Sequence, residues 1–266
     1  MPVVPLGRVA WHKTRRERPL HTVSPEDDFK IEFRSDVTVE LVKHSAADSD
    51  VLFAARVSTL GEQSLDELNK DPERSKGLIN YLMRDRHGSP FEHNSMTFFV
   101  SAPIFVFREF MRHRVGWSYN EESGRYRELQ PVFYVPDASR KLVQEGRPGK
   151  YRFVEGTPEQ HKLASEAMEE SYRQAYRTYR EMLAAGVARE VARSVLPVGL
   201  FSSMYATCNA RSLMHFLGLR TQHELAKVPS FPQREIEMVG EKMEAEWAKL
   251  MPLTYAAFNA NGRVAP

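Results

Sequence analysis

One cysteine in 266 residues, Cys208, removes several chemistries at once. No internal disulfide can form, and no zinc or iron–sulfur site built from several thiolates fits; such usage suits a reducing compartment, and a cytoplasmic protein is expected. An excess of one charge is also missing. The 37 Lys and Arg against 35 Asp and Glu leave a formal net charge of +2, too little to hold nucleic acid through a bulk field, so any positive potential has to be local. Long apolar runs are absent. The longest near-apolar stretch, Phe98 to Phe107, contains Pro103 and falls far short of a membrane span. Met1 to Pro19 lacks the apolar core of a signal peptide. Neither G-x-G-x-x-G nor G-x-x-x-x-G-K-[ST] occurs, so a Rossmann or P-loop nucleotide site has no support. No membrane and no nucleic-acid partner is expected.

What is present reads as an ordinary globular chain. Hydrophobic residues make up 42% and charged residues 27%, and the length suffices for a sizeable core. No repeat, low-complexity tract or linker divides it. Residues 1–36 are rich in Arg, Lys, His and Pro with little periodicity and read as an irregular arm, its basic group at Lys13–Arg18 a solvated tail. Residues 37–266 form the domain. Val37 to Val42 alternates like a half-buried strand, and Ser45 to Ser58 has helical spacing. Asp71-Pro72 is a cap and first-turn pair opening a helix to Arg86. Met96 to Ser101 reads as a strand, and Pro103 opens a helix through Met111. Val132 to Val135 is a short strand and 137–158 a long loop. Pro158 to Ala185 is a long amphipathic helix stopped by Gly186, and Ala188 to Val195 a short one. Phe201 to Thr207 suits strand or helix. Asn209 to Leu219, with Leu213, Phe216 and Leu217 inward, and Gln233 to Leu250 are helices.

The chemistry concentrates in Arg112 to Tyr126. These residues carry three arginines, a histidine, two carboxylates, two serines, an asparagine and three aromatic rings, directly after an apolar element. Arginine stays charged at any working pH, so it is a poor proton shuttle but a good phosphate clamp. Arg193, Asn209, Arg211, His215 and Arg220 extend the set, with Arg211 and His215 one turn apart. His87, Glu92 and His93 lack the spacing of a zincin pair, and no metal site is expected. Ser123 has no G-x-S-x-G elbow around it. The pattern by itself stops at binding of a phosphorylated, heterocyclic ligand. A solvated salt-bridge loop, a nucleotide- or RNA-binding module and a serine hydrolase acting through Ser123 all remain open at this level.

The order Arg-His-Arg, eight residues, then Ser123-Gly124-Arg125-Tyr126 resembles the signature of the flavin-dependent thymidylate synthases, the ThyX family, usually written with seven intervening residues. The additional residue lies around Gly116-Trp117. Ser89 to His93, Ala102 to Val106, Arg189 to Arg193 with Leu196-Pro197, and Asn209 to Leu213 follow in the family's order, so the resemblance covers roughly residues 37–258. It implies an α+β fold: a single mixed α/β domain with an antiparallel-rich sheet, flanking long helices and homotetrameric assembly with shared active sites. It implies reductive methylation of dUMP to dTMP, 5,10-methylenetetrahydrofolate giving the carbon and NADPH reducing bound FAD, with no metal. Carried over by position, Glu109, Phe110, Met111, Arg112, Glu121, Glu122, Ser123, Gly124, Arg125, Arg193 and Arg220 fall where the family binds dUMP, Arg220 acting on the uracil ring. Ser89, Arg112, His113, Arg114, Glu121, Asn209, Ala210, Arg211 and His215 fall where it binds FAD. His87 lies near the meeting place of flavin and folate. The lone Cys208 adjoins a helix start and is expected to pack rather than attack.

Overall fold

The computed structural model describes residues 30–61 and 71–266. Most of the expected arm, and its Lys13–Arg18 group, therefore lie outside the described residues. Glu32–Arg34, inside that stretch, is no irregular segment; it forms strand β1, paired in parallel with β5 (Val132–Tyr134). A three-residue strand has too little alternation to announce itself and depends on its distant partner.

The centre is a four-stranded antiparallel sheet in the order β2 (Thr38–Ser45), β3 (Ser95–Pro103), β8 (Phe201–Cys208), β4 (Trp117–Glu121). In β3 the side chains of Met96, Phe98, Val100 and Ala102 are fully buried while their neighbours lie toward the other face. β8 resolves the ambiguity at 201–208 as strand, because Met204, Ala206 and Cys208 alternate inward and both of its edges are hydrogen-bonded. β4 lies inside the polar constellation that reads from sequence as a loop. Its Trp117, Tyr119 and Glu121 alternate with exposed Ser118 and Asn120, and pairing with β8 makes the pattern a strand.

Against the sheet's inner face pack α1 (Asp48–Leu60), α2 (Pro72–Arg84), α3 (Ile104–Phe110), α6 (Ala210–Arg220), α7 (Arg234–Leu250) and α8 (Pro252–Ala260). Side chains such as Phe91, Phe98, Phe110, Phe216, Trp247 and Phe258 meet there, each stabilising the fold by about 1.5–3 kcal/mol. Asp71 caps α2 by accepting from Arg74 N at 3.0 Å, and Asn209 caps α6 by accepting from Ser212 N at 2.9 Å. Helix α8 opens on Pro252 but has no local side-chain cap. Its first turn is capped from afar by Asp48, which accepts from Leu253 N (2.8 Å) and Thr254 N (2.9 Å).

A second, smaller core lies under α4 (Pro158–Ala184), whose Tyr172, Tyr176 and Tyr179 bury against Leu129, Phe133 and Leu200. Thr157 and Gln160 close a capping box at its start. After it, α5 (Arg189–Ala192) runs into a 3-10 turn at Arg193–Val195. The expected loop 137–158 contains a hairpin instead, β6 (Val143–Arg147) and β7 (Lys150–Val154). Pro148-Gly149 is its two-residue turn, with Gly149 at φ +78°; glycine and proline read as irregular when the strands they join are short.

Candidate active site

Helix α3 delivers the Arg-His-Arg tripeptide. Its apolar face, Val106, Phe107 and Phe110, is buried, and the chain leaves the helix in a turn whose Arg112 and His113 amides donate to the carbonyls of Glu109 (3.3 Å) and Phe110 (3.0 Å). Tyr119 Oη then donates to the His113 carbonyl at 2.7 Å, with the Phe110 carbonyl at 3.1 Å. The rings of Trp117 and Tyr119 stack 5.7 Å apart and meet Phe110 edge-on. Sequence reasoning passed over Tyr119; the signal was its place one alternation after Trp117. Tyr119→Phe is expected to cost about 1 kcal/mol in thermal unfolding, since the carbonyls lose their buried donor.

Arg220, the last residue of α6, reaches back to this turn. Its Nη1 donates to Glu109 Oε2 at 2.5 Å, Nη2 to the Glu109 carbonyl at 3.3 Å, and Nε to His113 Nε2 at 3.1 Å. Side-chain exposure of only 16% for Arg220 and 27% for Glu109 makes this a held, partly desolvated pair rather than a surface one. Burial raises the Glu109 carboxyl, Arg220 offsets part of that, and nearby Glu235 adds to the rise. Since His113 Nε2 accepts, its proton sits on Nδ1. Burial, then the Arg220 cation, then His215, hold its pKa down at about 4.

That depression has a consequence for stability. Between pH 6.5 and about 4 the unfolded chain takes up a proton at His113 that the folded chain refuses. Stability from this group is therefore complete above pH 6.5 and declines as the pH falls. Going from about pH 7 to 5, roughly 1 kcal/mol is expected to be lost, the full linkage value being halved for partial solvent exposure. Urea unfolding of His113→Gln at both pH values is the check: the variant's pH dependence is shallower by that amount.

A second group gathers at the start of α6. Arg211 donates from Nη1 to Glu92 Oε1 at 2.5 Å, and its guanidinium lies against Gly88, where an added Cβ would come within 2.5 Å of Cζ. This brings Arg211 beside His87 and Ser89, both exposed on the 3-10 turn Ser89–Glu92 and the residues before it. His215 follows one turn along α6, its pKa lowered by burial, Arg211 and Arg86. Gly116, at φ +69°, seats the 112–117 turn on Asn209 and Ser212, and Ser212 Oγ donates to the Val115 carbonyl at 2.8 Å. Ala210 is buried, its amide donating to Asn94 Oδ1 at 2.7 Å. Arg112 and Arg114 are exposed, and no protein partner meets their guanidinium groups among the described residues.

The third group is Glu121 to Arg125 with Arg193. Burial raises Glu121, relieved in part by the Ser202 hydroxyl and by Arg193. Glu122 is engaged by Ser203 Oγ at 3.0 Å and Arg127 at 3.4 Å. A Cβ on Gly124 would approach Arg193 Cδ to 3.1 Å, so the glycine lets the Arg193 stem pack on the Ser123–Arg125 turn. Arg125 pairs with Glu190 at 3.0 Å, both half exposed, a contact cheap to exchange for a ligand. Ser123 Oγ accepts from Arg125 N at 3.3 Å and has no hydrogen bond to His113 or His87, which leaves a hydrolase triad without geometry. Arg193 lies by Glu121 and Gly124, whereas Arg220 is held by Glu109 and His113, so the two arginines have different neighbours among the expected site residues. A cleft of about 710 Å³ near Tyr151, Phe153 and Phe231 contains none of them.

Comparison with known proteins bears directly on this arrangement. A family model described as "Thymidylate synthase complementing protein" (Thy1) matches residues 40–253. The chain belongs to the Thy1 family, the flavin-dependent thymidylate synthases. The flavin-dependent thymidylate synthase of Streptomyces coelicolor is 90% identical over 91% of this chain and 98% of its own. That of Tropheryma whipplei is 61% identical over 88% of this chain and 97% of its own. Among solved structures, a UMP/dUMP methylase, PolB, from Streptomyces cacaoi bound with 5-Br dUMP is 58% identical, with a TM-score of 0.84 over 89% of this chain and all of that one.

As a Thy1-family methyltransferase the protein depends on a flavin, and its residues fit one. Unpartnered Arg112 and Arg114 and the Asn209 side-chain nitrogen are donors suited to an anionic cofactor, beside half-buried Trp117. Among the described residues no three His, Cys, Asp or Glu side chains come together in a way that could hold a metal ion. Cys208 is 2% exposed within the core, and burial pushes its thiol far above the usual range. It sits in β8 opposite Met96 and Trp117. No helix of the described residues is long and apolar enough to cross a membrane.

Proposed function

We propose that residues 37–266 form the catalytic domain of a cytoplasmic, homotetrameric enzyme that methylates dUMP reductively to dTMP, taking the carbon from 5,10-methylenetetrahydrofolate and electrons from NADPH through bound FAD. The observation that carries this reading is the Arg220 guanidinium, oriented by Glu109 and His113 at the end of the helix whose start bears Asn209, Ala210 and Arg211. A fixed cation beside uracil N3 stabilises negative charge developing there; delocalisation to C5 makes that carbon nucleophilic toward the methylene group. No thiol attack is required, in keeping with a buried Cys208.

In this reading Ser123, Arg125 and Arg193 bind the phosphate dianion, while Glu109 to Arg112 and Glu121 to Arg125 line the nucleotide. Ser89, Arg112, His113, Arg114, Glu121, Asn209, Ala210, Arg211 and His215 hold FAD, and His87 stands where flavin and folate meet. FAD, when bound, supplies hydride chemistry that no side chain can. Shared active sites, each completed between subunits, belong to the same reading. The UMP/dUMP methylase likeness supports a uracil nucleotide as substrate.

The test is direct. Purified protein is expected to be yellow with bound FAD and to form dTMP only when dUMP and the folate are both present with reduced flavin. Colourless protein that takes up no FAD overturns the reading, as does a salt-steep affinity for polynucleotides with no turnover.

A further inference from the structure

Beyond α8 the chain turns back along α6. The Arg263 side chain is 1% exposed and both its terminal nitrogens are engaged: Nη1 donates to Glu244 Oε1 (2.5 Å) and Asn259 Oδ1 (2.8 Å), and Nη2 to Glu244 Oε2 (2.8 Å) and Thr221 Oγ1 (3.1 Å). Thr221 directly follows Arg220, so this contact lies at the carboxyl end of α6. Three residues later the chain has reached the other end. The Pro266 carbonyl accepts from Arg211 Nε at 2.7 Å, and the Ala265 carbonyl accepts from Arg86 Nη1 at 2.7 Å.

The backbone at both anchors is unusual. Among the described residues only two that are not glycine have positive φ, Arg86 at +64° and Arg263 at +55°. L side chains rarely adopt that conformation unless surrounding contacts hold it. Both residues belong to this one network, and Arg86 leads straight into His87, Gly88 and Ser89. Two edges of the Arg211 guanidinium are thereby fixed, Nε by Pro266 and Nη1 by Glu92, with Gly88 against its face. Nη2 is left without a protein partner among the described residues.

We propose that Arg263–Pro266 is a positioning strap: it sets the Arg211 guanidinium so that its remaining edge meets the flavin. The proposal rests on the reading of Arg211 as an FAD ligand given above. The strap acts through Arg211, by the backbone oxygens at its end, and the Arg263 side chain anchors it. Ala265 also seals the edge of the core, so the experiment has to separate positioning from plain stability.

A double-mutant cycle on flavin-free protein does so. FAD is titrated, by flavin fluorescence and visible absorbance, into the intact protein, a chain cut after Val264, Arg211→Ala, and the two changes combined. The cut is expected to raise the Kd for FAD about tenfold, the worth of one charge-assisted hydrogen bond, and to shift the bound flavin's visible spectrum. In the Arg211→Ala background the same cut is expected to change nothing further. Unaltered FAD binding by the cut chain overturns the proposal. So does a combined effect equal to the product of the single ones, which is what general destabilisation produces. If Arg211→Ala alone binds FAD like the intact chain, the reading of Arg211 fails and the strap falls with it. A strap effect absent while Arg211→Ala weakens binding refutes the strap alone.

Discussion

Arg220→Ala is expected to reduce dTMP formation about a thousandfold or more, the scale of losing a preorganised charge stabiliser, while FAD binds within about threefold of normal. The asymmetry follows from where the side chain points. Two of its three hydrogen bonds go to Glu109, so of the residues read as holding FAD only His113 loses a contact, while Asn209, Ala210 and Arg211 belong to the other end of α6. Arg220→Lys keeps a charge but not the planar fork that engages both partners, so it is expected to recover only part of the rate. Two side effects identify the mechanism. Without the cation, Glu109 loses what offsets its burial and its carboxyl rises further, while the His113 pKa moves back up from about 4. Single-turnover rates of flavin reoxidation with dUMP and folate, beside an FAD titration, are the measurements. Turnover retained within about tenfold removes Arg220 from the chemistry.

Local signals made much of this molecule legible in advance. The Asp71-Pro72 pair announced α2, because a cap needs only the residues of its own first turn, and apolar spacing announced α4, with its stop at Gly186, and α6. Alternation announced β2. What failed depends on partners far along the chain. β4 becomes a strand by pairing with β8 some distance away in sequence, β1 by pairing with β5, and α8 is capped by Asp48. The site divides the same way. Arg211 and His215 could be placed on one helical face by spacing, and the roles of the arginines came from family resemblance. The hold of Glu109 and His113 on Arg220, the Tyr119 hydroxyl under the Arg-His-Arg turn and the return of Pro266 to Arg211 are all long-range contacts, invisible to periodicity.

Gly116 joins these two kinds of information. The additional residue relative to the usual family spacing lies here, and the glycine takes φ +69°, where an L side chain costs about 1–2 kcal/mol. A Cβ at this position would sit 2.1 Å from Ser212 Oγ and 3.1 Å from Asn209 Nδ2. Neither neighbour can yield easily. Ser212 Oγ is committed to the Val115 carbonyl, and Asn209 caps α6 through the Ser212 amide. Relieving the overlap therefore lifts the 112–117 turn off the helix and moves Arg112, His113 and Arg114 together. Gly116→Ala is expected to destabilise the protein by about 3 kcal/mol, backbone and overpacking costs combined, and to weaken FAD binding about a hundredfold, more than the stability loss alone produces. Ser212→Ala in the same chain removes the clashing oxygen; it is expected to restore part of the flavin affinity while the backbone cost remains. If Gly116→Ala melts lower but binds FAD normally, the turn is structural and its arginines do not reach the flavin.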